Sequence, residues 1–177
     1  FPDINIEQYT EGQRNYIELG ERKGENEGYK CRIRDRWYRI PSVRTSDAFF
    51  LRRNYLYPKF MLNSEEVEAV STDTMHRITF NNEVDKKRVL LSYYNSIGLA
   101  FTEIEGRSYG GGVLEILPGE VGKIILPDLR DENLIDDYTV NELVNIIDNY
   151  VRNNDDILGI LDVIDRRVLV DVLGLGM

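Results

Sequence analysis

The hydrophobic period changes along this chain, and that change limits the fold more than any other feature. Across residues 29–40, Cys31, Ile33, Asp35 and Trp37 alternate with Arg32, Arg34, Arg36 and Tyr38. That is the two-residue period of a strand with one basic face. Residues 49–55 and 59–63, broken at Pro58, read as two more short strands, and 69–71 and 76–80 as two further ones. At residue 85 the period lengthens. Leu90, Leu91, Tyr94, Ile97, Gly98 and Phe101 follow helical spacing, which predicts one helix over 85–103 capped by Asn82 or Asp85. Residues 113–117 return to a strand pattern, Pro118-Gly119 makes a turn, and 123–126 is an apolar strand ending at Pro127. Two helices close the chain. Thr139 is expected to cap 140–152, with Leu143, Val144, Ile147 and Tyr150 or Val151 on one face; Asp155 or Asp156 is expected to cap 157–173, with Ile157, Ile160, Leu161, Ile164 and Val168 on one face. The expected class is therefore α+β: an antiparallel, β-rich region with a long helix, followed by a C-terminal helical hairpin. The expected division is an opening segment 1–28, with Gly20, Gly24 and Gly28 in a charged loop, a β-rich domain 29–127, and an acidic helical module 128–177.

Several functional classes fall away on composition. Apolar runs such as Ile124-Ile125-Leu126 and Val168-Leu169-Val170 are far too short for a transmembrane span. A single cysteine, Cys31, leaves no internal disulfide and no zinc cluster, which fits a cytoplasmic home. A first residue of Phe is what a processed chain, or a piece of a longer one, would show. The formal net charge of -9 argues against a nucleic-acid partner until its distribution is read. Residues 30–60 carry nine basic against two acidic residues, a net of +7, while residues 128–177 carry four against twelve, a net of -8. One pole can meet phosphate while the other faces solvent or a protein.

The basic pole also holds aromatics. Arg34, Arg36, Arg39, Arg52, Arg53 and Lys59 lie beside Trp37, Tyr38, Tyr55 and Tyr57. Guanidinium forks bind phosphate and read guanine edges, and rings can stack on bases or pack beneath arginines. The plain alternative is a solvated strand face over an aromatic core. Gly110-Gly111-Gly112 behind Arg107, Ser108 and Tyr109 is a second candidate. No Gly-Lys-Ser or Gly-Lys-Thr accompanies it, so it is not a P-loop. It either lets a backbone come close to a partner or simply turns the chain. His76, the lone histidine, stands among Thr72, Asp73, Thr74 and Arg77 and reads as part of a hydrogen-bonding loop. The carboxylates of the last third lie mostly on helix faces opposite the apolar stripe, which solvation explains.

These residues resemble a known family. The run Tyr29-Lys30-Cys31-Arg32-Ile33-Arg34-Asp35-Arg36-Trp37-Tyr38 is similar to the start of the C-terminal domain of adenine-specific DNA methyltransferases from restriction-modification systems. Phe60-Met61-Leu62-Asn63, Thr72-Asp73-Thr74-Met75-His76-Arg77-Ile78, Asn95-Ser96 and the block from Glu103 through Arg107-Ser108-Tyr109-Gly110-Gly111-Gly112 to Glu115, with Pro118, Glu120 and Pro127, follow in the family's order. The resemblance spans about residues 16–127. It implies a target-recognition domain for duplex DNA, with Arg34, Arg36, Trp37, Tyr38, Arg39, Arg52, Arg53, Lys59, Thr74, His76, Arg77, Arg107, Ser108 and Tyr109 as the DNA-contacting set. It also implies a separate N-terminal lobe that binds S-adenosylmethionine and carries an Asn-Pro-Pro-Tyr motif. The present sequence has no Pro-Pro pair, so methyl transfer belongs to that lobe, and no cofactor-binding residue is expected here. The helix, glycine turn, strand and proline also resemble recognition domains of type I specificity subunits, whose neighbouring helices form a scaffold. Hence the alternative expectation: a protein-interaction module docking through its acidic C-terminal helices. A small independent hydrolase is disfavoured, because no convergent catalytic set is present.

Overall fold

A computed structural model describes residues 1–2, 4–40 and 44–176. The chain forms two compact units, residues 1–44 and 45–177. The first is helical among its described residues. Thr10 opens helix α1 (Glu11–Arg22) with a capping box: its side chain accepts the Gln13 N–H, and the Gln13 side chain accepts the Thr10 N–H. Gly20, expected in a loop, lies inside this helix. A Cβ there would sit 2.1 Å from the Trp37 ring, so the glycine is required by close packing.

The alternating stretch at 29–40 is not a strand. It starts as the single helical turn α2 (Tyr29–Arg32) and continues through local turns, with Arg34 N–H donating to Cys31 O and Arg39 N–H to Arg36 O. A strand needs a partner for every second peptide group, and this unit offers no other strand among its described residues. Its rings cluster instead: Tyr38 packs on Phe1, Tyr9 and Trp37.

The second unit holds two three-stranded antiparallel sheets. One has the order β3 (Phe60–Leu62), β1 (Ala48–Leu51), β4 (Met75–Ile78). The other has the order β2 (Arg53–Asn54), β6 (Val113–Glu115), β5 (Arg107–Tyr109). The strand expected at 49–55 is thus divided at Arg52, where the chain changes sheets. Arg52 N–H donates to Thr74 O and Arg52 O accepts from Ile116 N–H, so this residue joins the two sheets. Buried Asn54 braces the following turn by donating to Leu51 O and accepting from Lys59 N–H. Residues 69–71 and 123–126 form no strand, and Pro118 begins a short helix, α5 (Pro118–Val121).

The helix expected over 85–103 is two helices, α3 (Lys86–Tyr93) and α4 (Ser96–Glu105). Asp85 caps the first by accepting from the N–H groups of Lys87 and Arg88. Fully buried Asn95 ends the run: its carbonyl oxygen accepts the Gly98 N–H and its amide donates to Ser92 O. The apolar spacing carries on across the break, which is why periodicity alone joined the two.

The C-terminal helices are present, with corrected caps. Asp136, and not Thr139, caps α6 (Asp137–Asn153) and accepts both the N–H and the hydroxyl of Thr139. Helix α7 (Leu158–Asp165) runs on into a π-helical segment, Arg166–Val172, and Asp156 accepts the Leu158 N–H at its start. Residue 127 is no boundary in the packing. Leu129, Ile135, Val140, Ile147, Ile157, Ile164 and Val168 share one core with Phe50, Phe60, Leu90, Tyr94 and Ile116. The class is α+β, with less strand than the alternation promised.

Candidate nucleic-acid interface

The second sheet carries the strongest candidate surface. Arg53 and Arg107 each stand opposite Glu115 in the strand register, so the three side chains line up on one face. Leu114 and Asn54, one residue away, are buried on the other face and anchor the sheet to the core. Tyr109, paired with Val113, adds an exposed ring beside Glu115. Tyr55, just past β2, is 75% exposed.

Two carboxylates organise this face. Glu115 Oε1 accepts from Arg52 Nε at 3.0 Å and from Arg53 Nε at 3.1 Å. Glu120 Oε1 accepts from Arg107 Nε at 2.8 Å, while its Oε2 accepts the Leu117 N–H at 2.7 Å at the start of α5. Burial works to raise the Glu115 pKa, but hydrogen bonds from Arg53 and Tyr109 and the charges of Arg52 and Arg53 outweigh it, and the net shift is downward. Glu120 is lowered mainly by the Leu117 N–H, against some desolvation, with Arg107 assisting. Both are therefore anions at neutral pH. Glu115 lies beneath its arginines, 6% exposed, whereas the side chains of Arg53 and Arg107 are 67% and 57% exposed.

The glycine run forms the tip of the β5–β6 hairpin. Gly111 and Gly112 have φ of +84° and +77°, the left-handed region where a side chain is strained, so the turn itself accounts for them. Gly110 lacks that conformation, and a Cβ there would meet no atom within 4 Å, so the fold does not require glycine at this position.

The other expected contact residues divide sharply. His76 Nε2–H donates to Ile116 O at 2.6 Å and ties β4 to the end of β6, a structural bond between the sheets. The Thr74 carbonyl accepts from Arg52, and its hydroxyl meets that of Thr72. Arg77 lies on β4 opposite Phe49. Ser108 is exposed on β5. Lys59 points its ammonium at the C-terminal end of α6, bonding Val151 O and Asn154 Oδ1, where the helix carbonyls attract a cation. It is engaged within the fold and leaves the candidate surface.

Arg34, Arg36, Trp37, Tyr38 and Arg39 belong to the first unit. Arg34 bonds Trp37 O, Arg36 bonds Ile4 O, and the Trp37 indole N–H reaches Glu21. Trp37 and Tyr38 are half-buried and pack on Gly20 and on neighbouring rings. Sequence reading missed Glu115 and Glu120 as functional candidates. No capping motif marks Glu120, because Leu117 has no side-chain acceptor; the role of Glu115 depends on cross-strand register, which no local pattern displays.

The sequence matches the family described as "Type II methyltransferase M.Eco57I, C-terminal domain" over residues 1–169. The chain belongs to that family. The match takes in the opening segment and most of the C-terminal helices, well beyond the motif block at 16–127, and agrees with a core shared between sheets and helices. No curated protein and no solved structure matches the chain significantly. Among the described residues, no helix of this methyltransferase domain is long and apolar enough to cross a membrane.

Proposed function

We propose that this methyltransferase C-terminal domain is the target-recognition part of an adenine-specific enzyme and binds duplex DNA. The observation that carries the reading is the arginine–tyrosine face of the β2–β6–β5 sheet: Arg52, Arg53, Arg107 and Tyr109 converge there from separate parts of the chain, with their polar ends exposed. Arginines on such a face supply phosphate affinity, and a subset can read base edges. Methylating the exocyclic nitrogen of adenine requires the base to leave the stack. The recognition domain would hold the duplex while an N-terminal lobe of the same enzyme, with S-adenosylmethionine bound, receives the flipped base and transfers the methyl group. A cytoplasmic setting goes with this role.

Duplex binding by the chain should be salt-dependent. With about four to six phosphates contacted, affinity should fall steeply between low and physiological salt. Charge reversal at Arg52 and Arg53 should weaken binding, whereas reversal at Arg166 and Arg167, on the π-helical segment, should not. Equal effects from the two pairs, or salt-independent binding, would overturn the reading. The second reading, a protein-docking module, is favoured by Leu158 and Val163, which are 67% and 55% exposed on α7, and by Tyr138, 80% exposed on α6. Absence of salt-sensitive duplex binding by the chain would point to it.

A further inference from the structure

Arg52, Arg53 and Arg107 are held in one common way. Each is gripped at Nε by a carboxylate oxygen, and among the described residues no hydrogen bond takes any of their Nη atoms. A guanidinium is a rigid plane with five donors. A carboxylate at Nε fixes where that plane points and leaves the terminal Nη1/Nη2 edge as an open fork. That fork is the edge that pairs with O6 and N7 of guanine in the major groove.

The carboxylates are a puzzle if the surface serves only phosphate. DNA is a dense line of negative charge, and two anions beneath three arginines cut the local charge from +3 to +1. A face built for backbone affinity alone would be better without them. They make sense where direction matters more than total charge. Glu115 is suited to that purpose: it is buried, anchored in the central strand of its sheet, and one oxygen holds two arginines. Glu120 is suited for a different reason, because its second oxygen is fixed by the Leu117 N–H at the start of α5 and Arg107 inherits that rigidity.

Resting on the proposed duplex-binding role, we infer that Glu115 and Glu120 are positioning residues for base discrimination: they aim the forks of Arg52, Arg53 and Arg107 at guanine edges, lowering general affinity for DNA while raising preference for the target.

The test uses the whole chain and a pool of short duplexes randomised at the centre. Bound duplexes are selected and sequenced, and affinities for a selected and an unselected duplex are then compared for wild type, Glu115→Ala, Glu120→Ala and Arg107→Lys, with melting curves for each. The expected result is that each substitution lowers the selected-to-unselected preference about tenfold or more, the scale set by one bidentate guanine pair. Affinity for the unselected duplex should stay level, or rise in the two glutamate variants. General loss of structure would instead lower both affinities together. Arg107→Lys keeps the charge at an exposed position and removes the fork, so it serves even if a glutamate variant fails to fold. Preference unchanged in the folded variants, or both affinities falling equally, overturns the inference while leaving duplex binding intact. No duplex binding by the wild type overturns the proposed function and this inference together.

Discussion

The hydroxyl of Tyr94 replaces a missing strand. Strand β3 is an edge, and Phe60 turns its N–H and C=O away from β1 because the Phe50–Phe60 pair lies between hydrogen-bonded ones. Both groups are taken by one oxygen: Tyr94 Oη accepts the Phe60 N–H at 2.9 Å and donates to the Phe60 carbonyl at 2.8 Å. Tyr94 is fully buried, and burial pushes its phenol pKa well up, so it stays a neutral donor. Tyr94→Phe keeps the ring and its packing but strands two backbone groups out of reach of water. Leaving a buried donor or acceptor unsatisfied costs about 1–3 kcal/mol each, so a loss of about 2–6 kcal/mol is expected. For a unit of this size that is roughly 7–20 °C in Tm. Urea and thermal melts of Tyr94→Phe, followed by circular dichroism, give both quantities. A loss below about 0.5 kcal/mol, within the scatter of neutral surface changes, would refute the edge-strand argument.

Three further outcomes follow from named contacts. Arg107→Ala should leave Tm nearly unchanged, because a mostly exposed guanidinium loses one ion pair to Glu120; duplex binding, read by fluorescence anisotropy, should fall by about 5- to 150-fold if the side chain reads a base. Gly20→Ala would drive a Cβ to 2.1 Å from the Trp37 ring, so limited proteolysis should show residues 1–44 opening while the second unit resists. Glu115 and Glu120 have folded pKa values below their ordinary 4.5, so the stability they contribute is complete above that value and is lost as pH falls through the folded pKa. Melts should therefore show no loss from these groups between neutrality and about pH 5 and a decline at lower pH that weakens in Glu115→Gln.

Local chemistry told much of this fold in advance. The apolar stripes of α6 and α7 buried most of the residues their spacing named, with Leu161 left half-buried, because a helix exposes its period directly in sequence. Asp85 capped α3, and Val113 and Leu114 formed a strand behind the glycine turn. The charge asymmetry and the ordered motifs pointed to the methyltransferase family. Alternation at 29–40 failed because period two describes a strand only if a partner strand arrives, and among the described residues none did; Trp37 found Gly20 instead. The break at Asn95 was hidden because two helices can share one apolar rhythm while a buried side chain turns the backbone between them. The candidate site was legible in its residue types, since Arg52, Arg53, Arg107 and Tyr109 all stood out as basic or aromatic. Their meeting was not. Arg53 and Arg107 lie far apart in sequence, and only the pairing of β2 and β5 to either side of β6 puts Glu115 between them. The same long-range packing engaged Lys59, His76 and Trp37 inside the fold, because a cation, an imidazole or an indole goes to whichever partner the tertiary structure brings within hydrogen-bond or van der Waals reach.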